Sequence, residues 1–226
     1  MEKVSGLEVR IIMPYTFTYY ENDIKESDLV LVVTQSGLST NAIEALKIIK
    51  KKECRAICLT GNKNSDVKDV ADVVIEYGVG EELVGYVTKG VSSLALFLDL
   101  FAIAYSGKIE YLDELKKAVD LNEEMIDQAT SFIQQHYKNF SSMSWVYSCG
   151  AGANYGTALE SALKMGETIH IPSCCYEIEE YIHGPNLQLT PQYNVIFFDG
   201  NDGASRRVEQ VYKATRKVTN RAYLIS

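Results

Sequence analysis

An apolar run, Leu29–Val33, leads into Thr34-Gln35-Ser36-Gly37-Leu38-Ser39-Thr40, and an amphipathic run, Ala42–Ile49, follows at once. A strand that ends in a hydroxyl-rich turn and opens a helix restricts the chain to folds with strand–helix junctions. The helix closes on Lys50-Lys51-Lys52, where basic residues suit the negative end of the dipole. The N–H groups of a first helical turn have no intrahelical partner, and the dipole there favours negative charge. Thr34, Gln35, Ser36, Ser39 and Thr40 add donors around that point, so a small dianion such as a phosphate ester is one expected guest. An ordinary helix cap by Ser39 or Thr40 is the other reading.

The pattern around this junction predicts an α/β fold. Strand-like runs occur at Val9–Met13, Leu29–Val33, Ala56–Leu59 and Val73–Ile75, and strand–helix–strand order implies a parallel sheet with right-handed crossovers. From Glu81 to about Lys138 the pattern is helical. Gly107 divides it, and a second helix runs from about Tyr111 with Leu115, Val119, Leu121, Met125, Ile126 and Ile133 as its buried stripe. The α/β pattern restarts with a strand at Ser144–Cys149, a Gly150-Ala151-Gly152 turn and a helix at Asn154–Thr168. A strand at Asn194–Phe198, a helix at Ala204–Val218 and a strand at Ala222–Ile225 complete it. The expected organisation is two α/β lobes, residues 1–138 with the connecting helices and residues 139–226.

Bulk properties narrow the partners. The formal net charge of -8 argues against nucleic acid and anionic membrane, and leaves room for a small anion at a helix terminus. Val91–Tyr105 is apolar but short for a bilayer crossing, which predicts a buried helix. Cys54, Cys58, Cys149, Cys174 and Cys175 have no metal-ligand spacing, so no metal and no cofactor are expected. They read as reduced thiols of a cytoplasmic protein, and Met1-Glu2-Lys3-Val4 lacks an apolar leader core.

A second constellation lies on the helix at Asn154–Thr168. Glu160, Lys164 and Glu167 stand at i, i+4 and i+7 and share a face, which is the pattern of a solvated ion-pair ladder as well as of a site. Downstream, Glu180-Tyr181-Ile182-His183-Gly184-Pro185 sets a histidine against an enforced loop. Histidine moves protons between oxygens near neutral pH, and a desolvated glutamate can take one from a carbon beside a carbonyl. Together they suit enolisation of a sugar. A loop histidine that only meets solvent is the alternative for His183, and His136 and His170 are read as structural.

These residues resemble the SIS (sugar isomerase) family, in particular the isomerase half of glucosamine-6-phosphate synthases and the fructosamine-6-phosphate deglycases. Thr34-Gln35-Ser36-Gly37-Leu38-Ser39 is similar to that family's Ser-Gln-Ser-Gly-x-Thr/Ser phosphate loop, with Thr34 in place of the first serine. Gly80-Glu81-Glu82…Thr88-Lys89 resembles its Gly-x-Glu…Thr-Lys helix start. Leu159-Glu160-Ser161-Ala162-Leu163-Lys164-Met165-Gly166-Glu167 and Glu180–Pro185 resemble its second-lobe motifs.

The resemblance implies two doubly wound, flavodoxin-like lobes, each a parallel sheet flanked by helices. Thr34, Gln35, Ser36 and Ser39 would hold a sugar phosphate. Glu167 would move a proton between C1 and C2, His183 would assist from a neighbouring subunit, and Glu160 and Lys164 would line the sugar-amine end. It also implies a homodimer or larger oligomer. The family's first lobe begins with a further strand and a Gly-x-Gly-Thr-Ser loop, and its second continues past Ser226; by that pattern the first lobe lacks its first strand and the second its C-terminal end. The implied substrate is a 6-phosphorylated ketosamine in a deglycase, or an amino-sugar phosphate in an aldose–ketose isomerase. A non-catalytic sugar-phosphate sensor is the remaining reading.

Overall fold

The computed structural model describes residues 1–226, which divide into two compact units, Met1–Asp120 and Leu121–Ser226. In the first, short helices α1 (Glu2–Ser5) and α2 (Pro14–Tyr19) precede β1 (Leu31–Thr34), α3 (Thr40–Lys51), β2 (Ile57–Thr60), β3 (Val73–Glu76), α4 (Lys89–Ser106) and α5 (Tyr111–Asp120). The strands form a three-stranded parallel sheet in the order β1-β2-β3. Alternation along the strands sends Val32, Cys58 and Val74 to one face and Leu31, Leu59 and Ile75 to the other. The first face is covered by α3, whose Ala42, Ala45, Leu46 and Ile49 are buried at i, i+3, i+4 and i+7. The second is covered by α4, which brings Leu94, Phe97 and Leu98 against Leu59, Tyr77 and Val79.

The second unit holds α6 (Asn122–Gln135), α7 (Tyr137–Ser141), β4 (Val146–Gly150), α8 (Ala153–Lys164), β5 (Ser173–Glu177), α9 (Ile178–Ile182), β6 (Asn194–Phe198), α10 (Ser205–Thr215) and β7 (Ala222–Ile225). Its sheet is parallel in the order β5-β4-β6-β7. Tyr147, Cys149, Val195, Phe197 and Ala222 face α9 and α10, while Val146, Ile196 and Tyr223 pack with Phe132, Phe140, Met143 and Met165. Both units are therefore parallel sheets with helices on both faces, as the strand–helix alternation predicts.

Several expectations are corrected. Val9–Met13 is not a strand: it pairs with nothing, Ile11 is 90% exposed, and Pro14 starts α2 directly after it. The boundary falls after Asp120 and not near Asn139, because Phe132, His136 and Phe140 stack around Tyr223 of β7. The helical stretch begins only at Lys89; it does break at Gly107 as expected, where a φ of 70° closes α4 in a left-handed cap. The α5–α6 stripe is not buried. Val119, Leu121, Met125, Ile126 and Ile133 are exposed, so amphipathic spacing there does not mark a core face within this chain. In α4 only Gly90, Ala102 and Ile103 are fully buried, although its length and apolar composition are those of a short membrane span. β5, unforeseen in the sequence, is an edge strand of small and polar residues.

Candidate functional site

The hydroxyl turn occupies the β1–α3 junction. Thr34 ends the strand and is buried, Gln35 is half-buried, and Ser36, Ser39 and Thr40 are exposed. Ser39 stands at the N-cap of α3, yet its side chain makes no capping bond. The turn is held from below by the β2 end. The Gln35 carbonyl accepts from the Gly61 N–H at 3.0 Å and from Thr60 Oγ1 at 3.3 Å, and the Gly37 carbonyl accepts from the Val67 N–H at 3.3 Å. Gly37 has φ 67°, and a Cβ there would collide with the buried Ser65 hydroxyl. The Leu38 N–H donates to Ser36 Oγ at 3.2 Å. The result is a turn of neutral donors whose backbone is fixed by residues 25 and more positions away in the chain, such as Thr60 and Val67.

The ladder of the second unit also forms. Lys164 Nζ lies 3.3 Å from Glu160 Oε1 and 2.6 Å from Glu167 Oε2. The Lys164 side chain is only 19% exposed, and its pKa is raised, chiefly by the hydrogen bond to Glu167. Glu167 is not on the regular helix that its i+7 spacing predicts. α8 ends at Lys164, and Met165–Ile169 form one π-helical turn that closes on His170 at φ 60°. Such turns are rare and concentrate at functional sites. Behind them Ser148 and Ser161 hydroxyls meet at 3.0 Å and Ser173 donates to the Ala162 carbonyl, tying α8 to β4 and β5. An open cleft of about 750 Å³ beside the ladder is lined by Leu163, Glu167, Ile171, Ser173 and Cys175 among others.

His183 is not joined to this group by any hydrogen bond or ion pair. It sits at the C-cap of α9 with its side chain 78% exposed, and its nearest carboxylate is Glu179, 4.0 Å away. Glu179 is engaged by Arg207 at 2.5 Å and 3.1 Å, and Arg207 holds its carboxyl below the usual range. Sequence reasoning gave no role to Glu82. Its carboxylate receives Gln35 Nε2 at 2.8 Å, together with three backbone N–H groups at the start of α4.

Residues 15–104 match the SIS domain family. The isomerizing glutamine–fructose-6-phosphate aminotransferase of Caldanaerobacter subterraneus is 29% identical over 81% of this chain and 32% of its own length. That of Thermotoga maritima is 28% identical over 86% of this chain and 33% of its own. The chain thus spans about a third of the length of these relatives. Among solved structures, a glucosamine-6-phosphate deaminase from Thermotoga maritima superposes with a TM-score of 0.90 at 21% identity, covering 100% of this chain and 69% of that one. The C-terminal domain of the Francisella tularensis glucosamine-fructose-6-phosphate aminotransferase gives 0.89 at 22% identity, covering 99% and 65%. At those identities the superpositions establish the α/β fold and nothing finer.

Proposed function

We propose that this chain processes a phosphorylated sugar by moving a proton between C1 and C2, as a phosphosugar isomerase or a fructosamine-6-phosphate deglycase, built from two tandem SIS lobes. The observation that carries the reading is a buttressed turn of free-standing donors inside the segment that matches the SIS domain. Gln35, Ser36 and Ser39, with Thr34 behind them, hold the phosphate on the α3 terminus. Glu167 is the base: it stands on the π-turn that follows α8, and Lys164 fixes its direction. Lys164 and Glu160 line the sugar-amine end. His183, whose side chain is exposed, assists ring opening, acting across subunits of a homodimer or larger oligomer in the cytoplasm. The chemistry needs no metal or cofactor, since the carbonyl beside the reacting carbon takes up the electron pair as the proton leaves, and the enediol forms.

The names of the relatives make fructose 6-phosphate the first probe. The chain is incubated with fructose 6-phosphate and with several fructosamine 6-phosphates, and free amine and glucose 6-phosphate are measured. Release of amine assigns the deglycase, and isomer exchange without amine assigns the isomerase. Binding without turnover assigns a sensor and contradicts the enzymatic reading.

A further inference from the structure

The side-chain amide of Gln35 is steered by a residue outside the turn. Its Nε2 donates to Glu82 Oε2 at 2.8 Å. The same carboxylate accepts from the N–H groups of Thr88 at 2.9 Å, Lys89 at 2.8 Å and Gly90 at 3.1 Å. α4 has no capping side chain of its own at Thr88, so Glu82 caps the helix and grips the amide with one group. With Gln35 the leading cause, these donors hold the Glu82 carboxyl down at about 2, so it is charged at any physiological pH. A side-chain amide has two orientations of nearly equal shape. Turning Gln35 Oε1 toward the carboxylate would set acceptor against acceptor, so Glu82 selects the NH2-inward form. The consequence is visible: Gln35 Oε1 is buried with no partner, and it packs so closely on Gly90 that a Cβ there would collide with it.

We propose that Glu82 is a positioning residue for anion binding at the turn: it fixes the Gln35 amide so that one N–H is held and the second is left for a phosphate oxygen. This rests on the reading of the turn as a phosphate site. A carboxylate can stand beside such a site because the positive end of α4 offsets its charge. The residues responsible are 47 positions apart, and the tight approach of Gly90 leaves the amide no third position.

The test uses the full chain labelled with 15N, and fructose 6-phosphate as the probe. E82Q keeps the length of the side chain and an acceptor for α4, but it opposes NH2 to NH2 and favours the reversed amide. E82A removes clamp and cap together and serves as the control for lost helix capping. The expected result for E82Q is a shifted Gln35 side-chain N–H pair, a Kd raised roughly tenfold, and a melting temperature that falls less than in E82A. Q35A also raises the Kd, and adding E82Q to Q35A raises it no further, since both act through one amide. Unmoved Gln35 resonances in E82Q, or a wild-type Kd in E82Q alongside a weakened Q35A, overturns the positioning role and leaves the phosphate site standing. A wild-type chain that does not bind, with Gln35 resonances that still follow Glu82, overturns the phosphate site instead.

Discussion

The turn of the first unit and the ladder of the second differ in what holds them in place. The turn is neutral: its geometry comes from backbone carbonyls, a positive-φ glycine and hydroxyls reached from the β2 end. The ladder is charged: Lys164 sits between two carboxylates at the point where α8 gives way to a π-turn. A dianion is bound well by fixed N–H and O–H dipoles, which lose nothing to reorganisation when the charge arrives. A proton-transferring group must instead gain and lose charge, which calls for a titratable side chain with a partner that responds to it. On the proposed reading the two regions divide binding from chemistry, and substitutions should separate them.

The largest effect is expected at Glu167. E167Q keeps the shape of the ladder and removes the proposed base, so turnover should fall by roughly 10²–10⁴-fold while the Kd for fructose 6-phosphate stays within a few-fold. Parallel rate and calorimetric measurements check this, and equal losses in both would mean that the two regions are not separable. Next is Gly37→Ala. It forces a side chain onto Ser65 at a left-handed backbone position, and should cost about 1–3 kcal/mol in urea unfolding as well as ligand affinity. An unchanged unfolding midpoint would show that the turn is not rigid.

The charged region has its own signature in alkali. The folded pKa of Lys164 is raised, so its stabilisation is complete below the unfolded value near 10.5 and is lost as pH rises through the folded one. K164M should remove that alkaline dependence and lower stability at neutral pH by about 1 kcal/mol or less, measured by denaturant titration at pH 7 and across pH 9 to 11. The smallest effect belongs to the carboxylate that holds Gln35 of the turn. Glu82 has a folded pKa of about 2 against an ordinary 4.5, so its contribution is present above 4.5 and fades as pH falls toward 2. In E82Q the loss of stability across that window should be shallower than in the wild type.

The two regions were not equally legible in the sequence. The strand–turn–helix at Leu31–Lys51 was, because its cues are local: an apolar run, a hydroxyl turn, an apolar face at i, i+3, i+4 and i+7, and a basic end. The grouping of Glu160, Lys164 and Glu167 was also legible from spacing, but the π-turn that carries Glu167 was not, since one extra residue per turn leaves no mark on periodicity. Glu82 was written in a motif without a role, because its partner Gln35 is distant in sequence and only the sheet brings them together. Amphipathic spacing misled at α5 and α6. A hydrophobic stripe shows that a face is apolar, not that something within the same chain covers it. The run at Val9–Met13 shows the same for strands, since apolar residues form a strand only where a neighbour offers backbone partners.

The division of labour is tested most directly by a crystal structure of the chain with fructose 6-phosphate. The phosphate is expected at the α3 terminus, its oxygens within hydrogen-bond distance of Ser36, Ser39 and the Gln35 amide, with Glu82 still holding that amide. A phosphate seated elsewhere, with the turn from Thr34 to Thr40 vacant, would contradict it.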